Sequence, residues 1–135
     1  MVDNIWSKTC VLDSSCVFSP SNEHDITSAL AIIKATKTKF SIRRGGHMPA
    51  MGAQSNDNGV LIALNNIDTK KFHDDKSVLS VGPGNRWIDV YNLTVQHGLA
   101  VVGGRYGHAS FSYHYSFHQQ GDLKNDKMGL YLREI

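Results

Sequence analysis

Five consecutive residues have properties that suit a phosphate-bearing ligand: Arg43, Arg44, Gly45, Gly46 and His47. The arginines carry permanent positive charge and offer paired N–H donors that match phosphate oxygens. The glycines permit left-handed backbone and close approach, so that successive N–H groups can surround an anion. The histidine can transfer a proton, bind a metal or act as a nucleophile near neutral pH. This motif therefore predicts an anion-binding loop with a reactive side chain at its far end.

The runs that flank this motif predict that it follows a parallel strand. A short apolar run at residues 16–19 predicts a strand, and a helix capped by Ser21 or Asn22 follows it. Residues 40–42 predict the next strand, which ends at the glycine motif. A strand, a helix and a second strand with a ligand loop after it form a common α/β arrangement. We also expect Cys16, inside the first run, to be a small buried hydrophobic side chain.

Further short strands and one more helix are predicted downstream of the motif. A long polar loop over residues 44–58 comes first, and such loops are usually functional or disordered. Apolar runs then predict strands at residues 59–64, 71–73, 78–81 and 99–102. A helix over residues 86–97 has Trp87 and Tyr91 on its apolar face, and Gly98 suits its end. The fold class is therefore α/β (α+β), with a small sheet, a βαβ start and two main helices.

Length and composition predict one globular domain. The chain has 135 residues, of which 41% are hydrophobic and 19% are charged, and this is enough to form a core. The net charge of +2 argues against a dedicated nucleic-acid-binding protein, because such proteins usually carry a strong basic stripe. No apolar run is long enough to span a bilayer, and the first residues lack the pattern of a signal peptide. The sequence assigns neither a compartment nor an oligomeric state.

The histidine-rich tail is not expected to bind a metal. Aromatic side chains alternate with serine and histidine over residues 111–118, which is the period of a strand. On such a strand His114 and His118 would lie about 13 Å apart, which is too far to share one ion. We interpret the segment as an edge strand or as sequence without a role in folding.

Two further glycine clusters follow predicted strands, as the first one does. They are Gly82-Pro83-Gly84 and Gly103-Gly104-Arg105. Each cluster alone is most simply an ordinary tight turn. Because three strand ends carry such clusters, we expect the three to converge on one extended ligand.

In their order and spacing, these motifs resemble the FAD-binding (PCMH-type) domain of the vanillyl-alcohol oxidase and p-cresol methylhydroxylase flavoprotein family. The most similar branch is that of the berberine-bridge-enzyme-like, oxygen-dependent FAD-linked oxidoreductases. The resemblance extends from Trp6 to Arg105. It implies an irregular lead-in over residues 1–15, part of the FAD-binding domain, its first subdomain, over residues 16–105, and a divergent tail over residues 106–135.

The resemblance implies FAD as the cofactor and gives each cluster a role. The loop at residues 43–47 would wrap the FAD pyrophosphate, and His47 would be joined covalently to the 8α-methyl carbon of the flavin. The other implied contacts are Pro20, Val81, Gly82 and Gly84 on the adenosine side, and Gly103 and Gly104 beside the flavin. In the family, a substrate gives up a hydride to the flavin, and dioxygen usually reoxidises it.

Two positions depart from the family pattern. Arg44 stands where the family usually has a small residue, which is a bulky change in a tight turn. Tyr106 stands where members with a second flavin linkage have a cysteine. We therefore expect at most one covalent bond to the flavin.

Several parts of the family's full-length proteins do not appear in this sequence. They are another glycine-rich run, the second FAD subdomain, and the substrate domain with its catalytic base. We therefore expect a truncated member with no catalytic residue of its own, whose full-length relatives are often secreted and act on a small-molecule substrate. Two alternatives remain open: a non-catalytic remnant that acts as an interaction module, and a phosphate- or nucleotide-binding domain unrelated to flavin.

Overall fold

Two compact units make up the chain in the computed structural model, Met1–Ile67 and Asp68–Ile135. The structure describes residues 7–48 and 50–110, together with the backbone of residues 129–134. The predicted α/β class is confirmed, because a parallel sheet, two helices and antiparallel strands are all present.

The first unit is a three-stranded parallel sheet with one crossover helix. Its elements are strand β1 (Cys16–Phe18), helix α1 (Glu23–Thr36), strand β2 (Phe40–Arg43) and strand β3 (Val60–Ala63). The strand order β1-β3-β2 places β3 in the centre, where Ile62 lies beside both Phe18 and Ile42. The predicted βαβ start is confirmed. Since all three strands are parallel, the carboxyl ends of β1 and β2 lie at the same edge of the sheet.

Local side-chain chemistry explains where α1 begins and ends. The Asn22 side chain accepts a hydrogen bond from the Asp25 N–H at 2.9 Å, and the Asp25 carboxylate accepts one from the Ser21 N–H at 2.9 Å. Of the two predicted caps, Asn22 is the one that binds the helix N-terminus. The helix ends at Thr36, and the left-handed backbone of the next residue, Lys37 (φ 53°), lets the Thr38 N–H donate to the Ile33 carbonyl at 3.2 Å.

The core of the first unit is built on its central strand, β3. Leu61, Ile62 and Ala63 are all buried, as expected for the middle of a parallel sheet. Cys16, however, is exposed, so the expectation that it is buried is wrong. The apolar run gave a correct strand, but β1 lies at the edge of the sheet and its first residues are open to solvent. Cys10, in a preceding turn of 3₁₀ helix, is the buried cysteine.

The second unit is a four-stranded sheet with one helix. Its elements are strand β4 (Lys70–Phe72), strand β5 (Val78–Val81), helix α2 (Trp87–Gln96), strand β6 (Leu99–Val101) and strand β7 (Gly129–Glu134). The strand order is β4-β5-β7-β6, and every neighbouring pair is antiparallel. The core cluster contains Leu79, Val81, Trp87 and Val90. The helix face predicted from the sequence is therefore the one that packs inward.

Strand β7 is the element that the sequence did not predict. It lies between β5 and β6, with Tyr131 opposite Val78 and Leu132 opposite Val101. Residues 122–135 mix acids and bases and carry no strong turn pattern, so no local feature indicates this pairing. Distant neighbours decide whether such a run becomes a strand, and single-sequence patterns do not contain that information.

Two predictions concern residues that the structure does not describe. The first six residues of the predicted irregular lead-in and the alternating run at residues 111–118 both lie outside the described ranges. Within residues 7–48, 50–110 and 129–134, no helix is long and apolar enough to cross a membrane.

Candidate functional site

The loop after β2 holds the first group of predicted site residues. Arg43 is the last residue of β2 and is buried, whereas Arg44, Gly45 and His47 are half-buried. Desolvation by burial lowers the pKa of Arg43, but a guanidinium still keeps its charge at any physiological pH. Gly46 is buried and has φ of 70°, in the left-handed region that favours glycine. The predicted turn conformation is therefore present immediately before His47.

A residue that the sequence analysis did not single out lies against this loop. The Gln54 side chain is half-buried and bridges the backbone on either side of His47. Its amide nitrogen donates to the Gly46 carbonyl at 3.2 Å, and its amide oxygen accepts from the Met48 N–H at 2.6 Å. This orientation of the amide is assigned because it alone pairs each atom with a complementary group.

The residues after Gln54 attach this part of the loop to the rest of the first unit. The Ser55 hydroxyl donates to the Cys10 carbonyl and accepts from the Leu12 N–H, both at 3.0 Å. The Asn56 side-chain nitrogen donates to the Ser41 hydroxyl and to the Val60 carbonyl, both at 2.9 Å. Ser55 and Asn56 are buried. The long polar loop is thus ordered by buried polar side chains.

Pro20 is the other predicted site residue in the first unit. It is buried and lies two residues beyond β1. The loop at residues 43–47 follows β2, so both lie at the carboxyl edge of the same parallel sheet. Ligands of open α/β sheets bind at this edge.

The turn at Gly82 and Gly84 belongs to the second unit and is held by a buried asparagine. Asn85 is only 1% exposed. Its side-chain nitrogen donates to the Gly82 carbonyl at 3.0 Å, and its oxygen accepts from the Lys70 ammonium at 2.9 Å. The Val81 side chain lies in the core cluster. Asn85 and Lys70 are additional candidates because they position this turn, and the sequence analysis had assigned neither to the site.

Gly103 and Gly104, also in the second unit, lie against the indole ring of Trp87. A Cβ atom on Gly103 would overlap the six-membered ring, and one on Gly104 would come within 2.7 Å of Cδ1 and Nε1. The Tyr91 hydroxyl donates to the Gly104 carbonyl at 2.6 Å. The described structure therefore gives this glycine pair a packing role, and its contact with a flavin stays a prediction.

The chemistry of the loop over residues 43–56 fits a diphosphate. The segment contains two arginines and no aspartate or glutamate, so no side chain of the segment repels an anion. Left-handed backbone, as at Gly46, occurs in turns whose consecutive N–H groups bind an anion. The residues present therefore suit the phosphate part of a dinucleotide cofactor.

Comparison with known proteins gives a match over most of the chain. The family described as "FAD binding domain" matches residues 14–111. The FAD-dependent monooxygenase prx3 of Penicillium roqueforti is 42% identical over 108 residues, which is 79% of this chain and 21% of that protein. The FAD-dependent monooxygenase yanF of Aspergillus niger is 41% identical over 106 residues, which is 78% of this chain and 18% of that protein. This chain thus spans about a fifth of the length of these curated relatives.

Solved structures share the fold of this chain at low sequence identity. 6-Hydroxy-D-nicotine oxidase from Arthrobacter nicotinovorans superposes with a TM-score of 0.74 and 24% identity, over 82% of this chain and 24% of that one. Aclacinomycin oxidoreductase gives a TM-score of 0.72 and 15% identity, over 82% and 23%. Berberine bridge enzyme gives a TM-score of 0.59 and 18% identity, over 65% and 18%. These likenesses concern the fold alone.

Proposed function

We propose that residues 43–47 hold the diphosphate of FAD. The premise is that this chain belongs to the FAD binding domain family. FAD is the cofactor that this family binds. The observation that carries the proposal is the glycine turn at the carboxyl end of β2, with two arginines beside it and φ of 70° at Gly46. Backbone N–H groups and guanidinium groups supply the donors and the positive charge that a diphosphate requires.

The remaining assignments of the site are proposals by resemblance. Pro20 in the first unit would contact the adenosine part of FAD, and so would the turn at residues 81–84 in the second. Lys70 and Asn85 would keep that turn in shape, since Asn85 bonds the Gly82 carbonyl directly. Gly103 and Gly104 are proposed to lie beside the flavin.

The activity of the full-length protein is proposed to be that of an FAD-linked oxidoreductase of the berberine-bridge-enzyme-like branch. The supporting observation is that the relatives prx3 and yanF are FAD-dependent monooxygenases. When bound, the flavin would accept a hydride from a small-molecule substrate and pass the electrons to dioxygen. The residues of this chain would bind and orient the cofactor, and none of them is proposed as a catalytic residue. The substrate is not assigned.

His47 is proposed as the attachment point for the flavin. An imidazole nitrogen would form a bond to the 8α-methyl carbon. The imidazole N–H proton and one methyl proton would leave, and the electron pair of the broken C–H bond would pass through the flavin to dioxygen, the oxidant of the proposed activity. The position of His47 supports this role, because the residue is half-buried and directly follows the glycine turn proposed to hold the diphosphate.

The experiment that tests this function is flavin retention after acid denaturation. The chain is produced in the presence of FAD, precipitated in acid, and washed, and the flavin fluorescence that remains with the polypeptide is measured. We expect the wild-type chain to retain flavin and His47→Ala to lose it, while His47→Ala still binds FAD reversibly. Release of all flavin from the wild-type chain would contradict covalent attachment. Failure of a chain with native circular dichroism to take up any FAD would contradict the cofactor site itself.

A further inference from the structure

The geometry points to Gln54 as a positioning residue that holds His47 in the orientation required for its bond to the flavin, an inference that rests on the proposed function of His47. One side chain contacts the peptide groups on both sides of the histidine. It donates to the Gly46 carbonyl at 3.2 Å and accepts from the Met48 N–H at 2.6 Å. Gln54 is not itself proposed to touch the flavin.

These two contacts constrain both backbone torsions of His47. The Gly46 carbonyl belongs to the peptide plane that precedes His47, and the Met48 N–H belongs to the plane that follows it. Because peptide groups are planar, φ and ψ of the intervening residue describe the relation between those two planes. An amide that binds both planes at once therefore fixes the direction of the His47 Cα–Cβ bond. Without it, the preceding glycine would leave this part of the loop free to adopt several conformations.

Gln54 can hold the backbone on either side of His47 in place because the residues that follow it are themselves fixed. Ser55, the next residue, is only 2% exposed and bonds the Cys10 carbonyl and the Leu12 N–H. Asn56 is bonded through its side chain to the Ser41 hydroxyl and the Val60 carbonyl. Ser41 belongs to β2 and Val60 to β3, the central strand of the sheet in the first unit. Gln54 and the two residues after it therefore connect the backbone around His47 to this sheet.

The contacts require an amide at this position. The Gly46 carbonyl needs a donor and the Met48 N–H needs an acceptor, and a primary amide offers both at the end of one side chain. Glutamate has the same length but is an acceptor only when ionised, so it would repel the Gly46 carbonyl. Methionine has a similar length and offers neither strong group. The two substitutions therefore remove one contact or both with little change in volume.

The test compares Gln54→Glu and Gln54→Met with the wild-type chain. Gln96→Glu and Gln96→Met are matched controls, because Gln96 is an exposed residue at the end of α2. The first measurement is the rate at which acid-stable flavin fluorescence appears during incubation with FAD. The second is hydrogen exchange of the Met48 amide in the absence of FAD. We expect both Gln54 variants to attach flavin roughly tenfold more slowly, since losing a hydrogen bond of ordinary strength corresponds to about that factor.

The exchange measurement separates this inference from the proposed attachment. We expect the Met48 amide to exchange at least tenfold faster in Gln54→Met, and the Gln96 variants to match the wild-type chain in both measurements. Attachment at the wild-type rate in both Gln54 variants would overturn the inference. If the wild-type chain attaches no flavin, the attachment proposal fails by itself and exchange at Met48 decides whether Gln54 holds the loop. Unchanged exchange in Gln54→Met would then overturn the inference as well.

Discussion

Replacing Gly103 by alanine should destabilise the second unit strongly, even when no cofactor is present. The added Cβ would overlap the Cζ3, Cε3 and Cη2 atoms of Trp87. That ring is only 1% exposed and stacks on Tyr91 with 5.6 Å between ring centroids. The Tyr91 hydroxyl is in turn bonded to the Gly104 carbonyl. The indole therefore has no open side toward which it could move.

The size of the effect follows from this lack of space. Overpacking in a core lowers the free energy of unfolding by roughly 1–3 kcal/mol. For Gly103→Ala we expect about 3 kcal/mol, because the overlap is with a rigid ring. Gly98→Ala is the matched control. A Cβ on Gly98 meets nothing within 4 Å, but its φ of 65° is left-handed, so only a backbone cost of about 1 kcal/mol is expected.

Thermal unfolding of the chain without FAD measures the difference. In a unit of this size, each kcal/mol corresponds to about 4–8 °C in Tm. We therefore expect Gly103→Ala to lower the Tm by about 12–24 °C and Gly98→Ala by about 4–8 °C. Trp87 fluorescence should report the same transition, since that ring is the one displaced. A Gly103→Ala variant that unfolds at the wild-type temperature but binds FAD poorly would refute this reasoning and assign the glycine to the flavin.

Two smaller predictions concern polar side chains of the second unit. Asn85→Ala should lower the free energy of unfolding by about 2–3 kcal/mol, because the Gly82 carbonyl and the Lys70 ammonium lose their hydrogen-bond partner. Chemical denaturation measures this change. An unchanged unfolding midpoint would contradict the role given to Asn85. Hydrogen bonds from the Ser77 hydroxyl, and then from its N–H, lower the pKa of Asp75. Ser77→Ala should therefore raise that pKa toward its ordinary value, and a carboxyl titration by NMR would detect the shift. The pKa of Asp75 is lower in the folded chain than in the unfolded chain, so its hydrogen bonds with Ser77 stabilise the folded state at pH values above the ordinary pKa of an aspartate. This stabilisation is lost as the pH falls through the pKa of Asp75 in the folded chain.

Local patterns in the sequence were sufficient for most of the elements. Strand β5 has the predicted bounds, and α1 starts at one of the two predicted caps, because capping and alternation act between residues close in sequence. Strand β7 was missed because it exists through pairing with β5 and β6, which lie far away along the chain. The burial of Cys16 was predicted wrongly for a related reason, since the position of β1 at the sheet edge is a property of the whole sheet.

The candidate site shows the same division between local and tertiary information. The left-handed turn before His47 was predictable, because glycine is the residue type that adopts this backbone most readily. The family resemblance is confirmed by a match over residues 14–111. Gln54 could not be found in this way. A glutamine in a polar loop has no distinctive pattern, and its significance comes only from the two backbone groups that it contacts.

By residue type alone, the glycine pairs of this chain are equal indications of a ligand, but the structure gives them different physical reasons. Gly46 is required by its positive φ in a loop that has two arginines and no acidic residue. Gly103 and Gly104 are required because a tryptophan ring lies where their side chains would be. The first reason is a backbone conformation that suits the proposed phosphate contact, whereas the second is complete without a ligand. The case for a phosphate site therefore rests chiefly on the loop after β2, and Gly103→Ala and His47→Ala test the two reasons separately.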